Sequence, residues 1–553
     1  MRERCTAFSK ERGDHECANE GYGFGNANGH GMSLKETKSK NHVPQTGIAA
    51  AAVSGISWNY VGSIASSLSS LAIGIVMARI LGPKPFGQVI IAMTIYGFIN
   101  LFVDGGFSQA LIQKPELEAA EVRKTFTFQV GFGVCSTAFV YLVAPWIARW
   151  FHDASSVHVI RAMSLMITIQ SLGLVSAALL RRAMRFKVIQ YANLSSYLIG
   201  YLAVGIPLAF HGAGVWSIVF AYLTQCLVNS IALFAFARHS LLPIFALPER
   251  STRTFGNLIV ANNIVNWGHS NLDNVAVSHL GAMALGLYGR ACNFAYQPVG
   301  AVVTGLQTVL LSSTARVQER KQLMHDVTLS LMGIAFGVLG CAYATFAMIP
   351  DTTIVGLYGD KWLGVIPLML PMALAMPLYG VHCLLGPILC GLGKPELEFW
   401  PQAISCAVAA AAYFTAAHFS ILSVAWTLLA IMLLRLGLIA GFTFRELRIS
   451  WIRAGKMLAK RAAFSSAFAG VIWIADQAMR RLAVGAAPRL AVLACLSLLL
   501  LACAIWSASP LIFGRDAARF LLTYASHLPK RYAQQLRGQL ASSETAAAGT
   551  TLL

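Results

Sequence analysis

The sequence predicts an all-α polytopic membrane protein of about fourteen transmembrane helices, two sets of six related by pseudo-two-fold symmetry and followed by two C-terminal helices. Three observations predict it. Of 553 residues, 56% are hydrophobic and only 12% charged, and the apolar residues gather in runs of about 20, the length a helix needs to cross a bilayer. The segment Leu81-Gly-Pro-Lys-Pro-Phe-Gly87, at the end of the first apolar run, returns as Leu280-Gly-Ala-Met-Ala-Leu-Gly286. Lysine and arginine concentrate in alternate loops, as the positive-inside rule requires of a multi-span chain.

Residues 1–46 are polar and glycine-rich, and we expect a disordered extension there. Met32 opens a short basic leader ahead of the first apolar run, and we expect it to be a candidate start alongside Met1. Six apolar runs follow within 47–237, at about 56–80, 86–103, 125–145, 160–180, 192–210 and 215–236. A basic connection, 238–254, precedes six more within 255–445, at about 255–280, 284–311, 327–349, 366–389, 401–417 and 421–444. Two last runs lie within 446–514, the first interrupted by Asp476, and 515–553 form a polar tail. The cation-rich loops, among them Arg181, Arg182, Arg185 and Lys187, and the stretch from Arg445 to Arg461, are expected on the cytoplasmic side together with both termini. The net charge of +19 then marks topology and contacts with anionic membrane lipids, and no nucleic-acid partner is expected. Eleven cysteines include no C-x-x-C pair, so neither a disulfide framework nor a metal site is indicated, and no cofactor motif is present. The predicted loops are too short to hold a folded catalytic domain.

Six spans between the two copies of the signature give both repeats the same orientation, with an axis along the membrane normal, a pattern that suggests a transporter. The second copy carries the polar residues. Asn262, Asn266, His269 and Asp273 are spaced four, three and four, which places them on one helical face, with Asn263, Ser270 and Asn274 alongside. An ionisable group at bilayer depth costs about 2.5 to 3.5 kcal/mol on insertion scales, so such a stripe is a functional hypothesis by default. The alternative is hydrogen bonding between neighbouring helices. The offset between the copies sends the stripe to Ser63, Ser67, Ser70 and Gly74, a small or polar face on the first helix as well.

Several segments together resemble one family. Arg79-Ile-Leu-Gly-Pro-Lys-Pro-Phe-Gly87, Leu101-Phe-Val-Asp-Gly-Gly-Phe-Ser-Gln-Ala-Leu-Ile-Gln113, Ala144-Pro-Trp-Ile-Ala148, Ala178-Leu-Leu-Arg-Arg182, Gly212-Ala-Gly-Val-Trp216, and Asn271-Leu-Asp-Asn274 with Leu280 to Arg290 are similar to those of the oligosaccharide flippases, or polysaccharide transporters of Wzx type. That family lies within the multidrug, oligosaccharidyl-lipid and polysaccharide exporter superfamily. The resemblance covers about 50–330 and fades towards 450; the N-terminal extension and the sequence beyond Ser450 carry none of its motifs. It implies two six-helix lobes around a cavity that opens to one face at a time. It also implies a cargo of oligosaccharide on undecaprenyl diphosphate, moved across a bacterial inner membrane without enzymatic chemistry. A polysaccharide polymerase and a chain-length regulator are the protein partners it suggests.

Under this reading the headgroup meets Arg290, Asn266, Asn271, Asn274, Asn59 and Arg79. A guanidinium stays charged at depth and matches phosphate oxygens in bidentate fashion. Asp273 and His269, one turn apart, are the candidates to carry a coupling ion. An ion pair between Arg290 and Asp273 is the structural alternative for both. Arg435 and Asp476 match no motif. An ion-coupled small-molecule antiporter, which needs more buried acids, and a membrane-embedded polysaccharide polymerase or ligase are the competing functions.

Overall fold

The computed structural model describes residues 65–513 together with Gly62, apart from 115–116, 241, 247–249, 318–320 and 395. All of these lie in one contact unit, Ala51–Leu553. The expected N-terminal extension, the polar tail and Asn59 fall outside the described residues.

Among the described residues every regular element is helical. Ten helices are long and apolar enough to cross a membrane. Helix α1, Ala65–Leu81, ends at Gly82, whose φ of 77° is the left-handed turn that glycine adopts without strain. Pro83 opens α2, Pro83–Asp104, where its fixed φ and missing N–H suit the first helical turn. The repeat signature is therefore a helix–glycine–helix corner. Its second copy is built the same way, with Gly281 at φ 89° between α8, Arg250–Ser278, and α9, Ala282–Val317.

These two corners meet. A Cβ on Gly87 would fall 1.7 Å from the Ala282 carbonyl oxygen, and one on Gly286 would fall 2.0 Å from that of Pro83. Pro83 and Ala282, like Gly87 and Gly286, occupy matching positions of the repeat. The contact is reciprocal, as a local two-fold axis between α2 and α9 demands. Only glycine lets the two backbones approach so closely.

The first half continues through α3, Phe107–Gln113, α4, Ala119–Trp150, α5, Ser156–Arg182, α6, Phe186–Phe210, and α7, Val215–Ala237. Here α5 packs between α4 and α7 and also against α2. In the second half come α10, Lys321–Met348, α11, Pro350–Tyr358, α12, Ile366–Gly391, α13, Glu396–Ala417, and α14, Ile421–Leu447. There α12 is central and contacts α9, α10 and α14, while α8 packs on α13. The last pair, α15, Trp451–Arg481, and α16, Ala486–Phe513, attaches to the outside, α15 along α10 and α16 along α11.

Asp476 anchors that attachment. Its side chain is wholly buried, accepting hydrogen bonds from Thr352 Oγ1 at 2.7 Å and Arg480 Nε at 2.7 Å, and it forms an ion pair with Arg489, whose Nε lies 3.1 Å away. Arg480 also reaches Asp351 at 3.6 Å. One carboxylate thus ties α15 to α11 and α16.

Around the corners the two halves close over each other. Arg79 Nε donates to the Leu357 carbonyl at 2.7 Å and its Nη2 to that of Gly356. Lys361 Nζ donates to the Ile80 carbonyl at 2.9 Å, and the buried Trp362 Nε1 to that of Ala78 at 2.9 Å. Lys361 and Trp362 thus bond carbonyls in the last turn of α1, and Arg79 bonds carbonyls in the last turn of α11, the end at which a helix leaves its carbonyls short of partners.

Candidate functional site

Beneath this closed end lies a cavity of about 310 Å³, bounded by α1, α2, α6, α7, α8 and α9. Its polar wall is Ser70, Thr94, Asn271, Asn274, Asn293 and Arg290, with Tyr197, Tyr201 and Tyr222 facing from the first half. Among the described residues no acidic side chain lines it.

Arg290 comes from the third turn of α9 and is 8% exposed. One of its terminal nitrogens donates to the Gly74 carbonyl on α1. The guanidinium carbon lies 4.9 Å from the Phe86 ring centroid, 4.5 Å from Tyr358 and 5.8 Å from Trp362. Three ring faces stabilise a desolvated cation, each by about 0.5 to 2 kcal/mol, without neutralising it. Its Nε has no acceptor. Among the described residues no carboxylate comes within ion-pair distance, so a full positive charge faces the cavity uncompensated.

The expected Arg290–Asp273 pair is not formed. Both Asp273 oxygens are engaged elsewhere, one by the Tyr288 hydroxyl at 3.0 Å and one by the Asn274 backbone N–H at 2.8 Å. Under the repeat, Gly74 is the counterpart of Asp273. Arg290 thus crosses the local axis and bonds the first-half equivalent of the partner expected for it. The physical reason is the Gly87–Gly286 approach, which presses the start of α9 against α1 and α2.

The polar stripe also resolves differently from its helical projection. Its central line turns away from the cavity: His269 Nε2 lies 2.8 Å from the Gln402 carbonyl and 3.2 Å from Ser405 Oγ on α13. Asn266 is exposed and does not line the cavity, and the side chain of Asn262 is outside the described residues. The flank supplies the cavity face instead, through Asn271 and Asn274. Arg79 lies outside the cavity, held in the closure by the 356 and 357 carbonyls.

Several lining residues were not singled out by sequence reasoning. The tyrosines are the main group: Tyr197 and Tyr201 rings lie 4.7 Å apart, and Tyr201 and Tyr222 rings 5.7 Å apart. Tyr201 sits in a π-helical turn, Ile199–Gly205, of a kind that recurs at functional sites. Gly200 and Gly205 at its ends let this turn press on α7, where an added Cβ would meet Ala221 within 3 Å. The glycine pair flanking a tyrosine, with a second tyrosine one turn earlier, is the signal available in the sequence. Phe86, Tyr358 and Trp362 are brought to Arg290 from helices far apart in the chain, which no local pattern shows.

Comparison with known proteins agrees with this architecture. The chain is similar to the succinoglycan biosynthesis transport protein ExoT of Rhizobium meliloti, with 25% identity over 330 residues, 59% of this chain and 66% of that protein. It is similar to the lipopolysaccharide biosynthesis protein WzxC of Escherichia coli, with 22% identity over 352 residues, 63% of this chain and 71% of that protein. Among solved structures, the lipid II flippase MurJ in an inward closed conformation superposes with a TM-score of 0.67 at 12% identity, over 84% of this chain and 99% of that one. An inward-facing multidrug resistance MATE family transporter gives a TM-score of 0.51 at 15% identity, over 71% and 95%. At these identities the structures share the fold. The model of the polysaccharide biosynthesis protein family matches residues 76–367, more than half of the chain, including the closure and every cavity-lining residue except Ser70 and Gly74, and the protein belongs to that family.

Proposed function

We propose that the protein is a flippase that moves lipid-linked oligosaccharide repeat units, carried on undecaprenyl diphosphate, across the bacterial inner membrane by alternating access. The observation that carries this reading is Arg290: a buried cation with no counter-ion, in a cavity between two halves, beneath a closed end. An anionic headgroup supplies the missing charge, and guanidinium is suited to phosphate oxygens. A polar headgroup cannot cross about 30 Å of hydrocarbon alone. The chain would give it an arginine, asparagine amides and tyrosine hydroxyls while the lipid tail stays outside. The relatives named for transport in polysaccharide biosynthesis support the same class of cargo.

In this reading the halves at 47–237 and 255–445 rock about the α2–α9 contact, and both termini are cytoplasmic. The closed end then faces the periplasm and the cavity receives cargo from the cytoplasmic leaflet. Asn271 and Asn274 would bind sugar hydroxyls, and Asp273 and His269 are the groups to test for ion coupling. The absence of acids from the cavity wall disfavours a cation-exporting drug antiporter.

The test compares a strain lacking the gene with the same strain complemented by wild type or by Arg290→Ala. Repeat units are expected to accumulate on the inner leaflet without the gene. Wild type should clear them, and Arg290→Ala, made at normal levels, should not. Unchanged lipid intermediates and surface polymer on deletion would sink the export reading.

A further inference from the structure

A second buried arginine has the same unusual property as Arg290. Arg435, on α14, is 8% exposed, its Nε has no acceptor, and among the described residues no carboxylate pairs with it. Packed against it from α12 is His382, which hydrogen-bonds the Arg435 backbone; it is 7% exposed, its Nδ1 is without a partner and its ring stacks on Tyr379 at 6.3 Å. His269 on α8 is the third basic group within reach of the Arg435 charge, fixed by α13 through Gln402 and Ser405. Four helices thus bring one arginine and two histidines together, and among the described residues no carboxylate pairs with any of the three.

Packing does not explain this. A helix–helix contact in lipid is served by a leucine or methionine, whereas an unpaired guanidinium costs several kcal/mol of desolvation. The cluster also connects with the cavity. On α9, Asn293 lines the cavity and accepts from Gln297 Nε2 at 3.3 Å, and the neighbouring Tyr296 ring meets Tyr379 edge-on at 5.2 Å. Arg290 to Gln297 is two helical turns, about 10 Å along the axis, away from the closed end.

We propose that Arg435, with His382 and His269, is a second oxyanion-binding station, which takes a phosphate or carboxylate of the same cargo on its way to or from Arg290. It rests on the flippase reading and deepens it. The headgroup passes from one uncompensated cation to the next, so that neither binds it too tightly to release.

The test uses the full chain in detergent micelles, as wild type, Arg435→Met, Arg435→Lys and Arg290→Met. Two probes are titrated calorimetrically: farnesyl diphosphate for a phosphate source and a galacturonate trisaccharide for a carboxylate source. Arg435→Met is expected to bind one of the probes about tenfold more weakly or worse, the loss of one charge-assisted hydrogen-bond pair. Arg435→Lys, which keeps the charge but not the planar fork, should fall between. Without ligand, Arg435→Met should melt at or above the wild-type temperature, because an unpaired buried charge has been removed. The proposal is overturned if Arg435→Met binds both probes as wild type does, whatever its melting temperature. It is equally overturned if Arg435→Met does not fold and Arg435→Lys binds as wild type. In either case a loss of binding in Arg290→Met leaves the cavity reading standing, and no loss there removes that reading too.

Discussion

Around Asp476 the chain supplies two arginines and a threonine hydroxyl, whereas around Arg290 it supplies one backbone carbonyl, three aromatic rings and an open cavity. Both charges are almost wholly removed from solvent. The first is neutralised by its own protein and ties the two extra helices to the bundle. The second is left for something else to neutralise. The difference separates a charge that holds structure from a charge that awaits a ligand, and each can be tested by removing it.

Asp476→Asn should have the largest effect on stability. It leaves Arg489 without a counter-charge and Arg480 with only the more distant Asp351 at 3.6 Å, and breaking a buried pair from one side costs about 3 kcal/mol. Thermal unfolding in detergent should show a clear fall in melting temperature; an unchanged melt would mean that the clasp does not anchor α15 and α16. Arg290→Met should do the reverse. The apolar stem still packs on Phe86, Tyr358 and Trp362, so the melting temperature should stay or rise, while export of the polymer falls at least tenfold. If Arg290→Met unfolds like Asp476→Asn, the contrast between the two charges is lost.

The smallest effect concerns a carboxylate compensated only by neutral donors. Asp153, in the turn between α4 and α5, accepts from Ser155 and Ser156 side chains at 2.5 and 2.7 Å and from Gln88 Nε2 at 3.2 Å. Partial burial alone would raise its pKa, but these hydrogen bonds outweigh it and hold the value below the ordinary 3.8. A group whose folded pKa is depressed adds stability that is complete above the unfolded pKa. That stability fades as pH falls through the folded value. Wild type should therefore lose slightly more stability than Asp153→Asn between pH 5 and pH 3. Parallel acid limbs in the two melting curves would show that the turn does not depend on the charge.

Much of this was legible in the sequence because it depends on local chemistry. The helical membrane class follows from apolar runs of bilayer length. The corners follow from Leu81-Gly-Pro and Leu280-Gly, since a glycine after a helix and a proline opening the next fix the turn whatever surrounds them. That Asp273 and Arg290 lie at buried positions followed from their apolar neighbours. The expected fourteen spans were read in the same way, and ten helices meet the length and apolarity criterion among the described residues.

Partner choice was not legible. Periodicity states which direction a side chain points from its own helix, not which helix stands there. His269 and Asn271 are two residues apart, yet one meets α13 and the other the cavity. Arg290 bonds Gly74 and not Asp273, because two glycines far apart in the chain bring α9 against α1 and α2. The sequence by itself determined that the chain is a repeated helical membrane protein and that it buries a few charges. Only the tertiary structure decided which of those charges are compensated, because compensation is set by close contacts between helices distant in sequence.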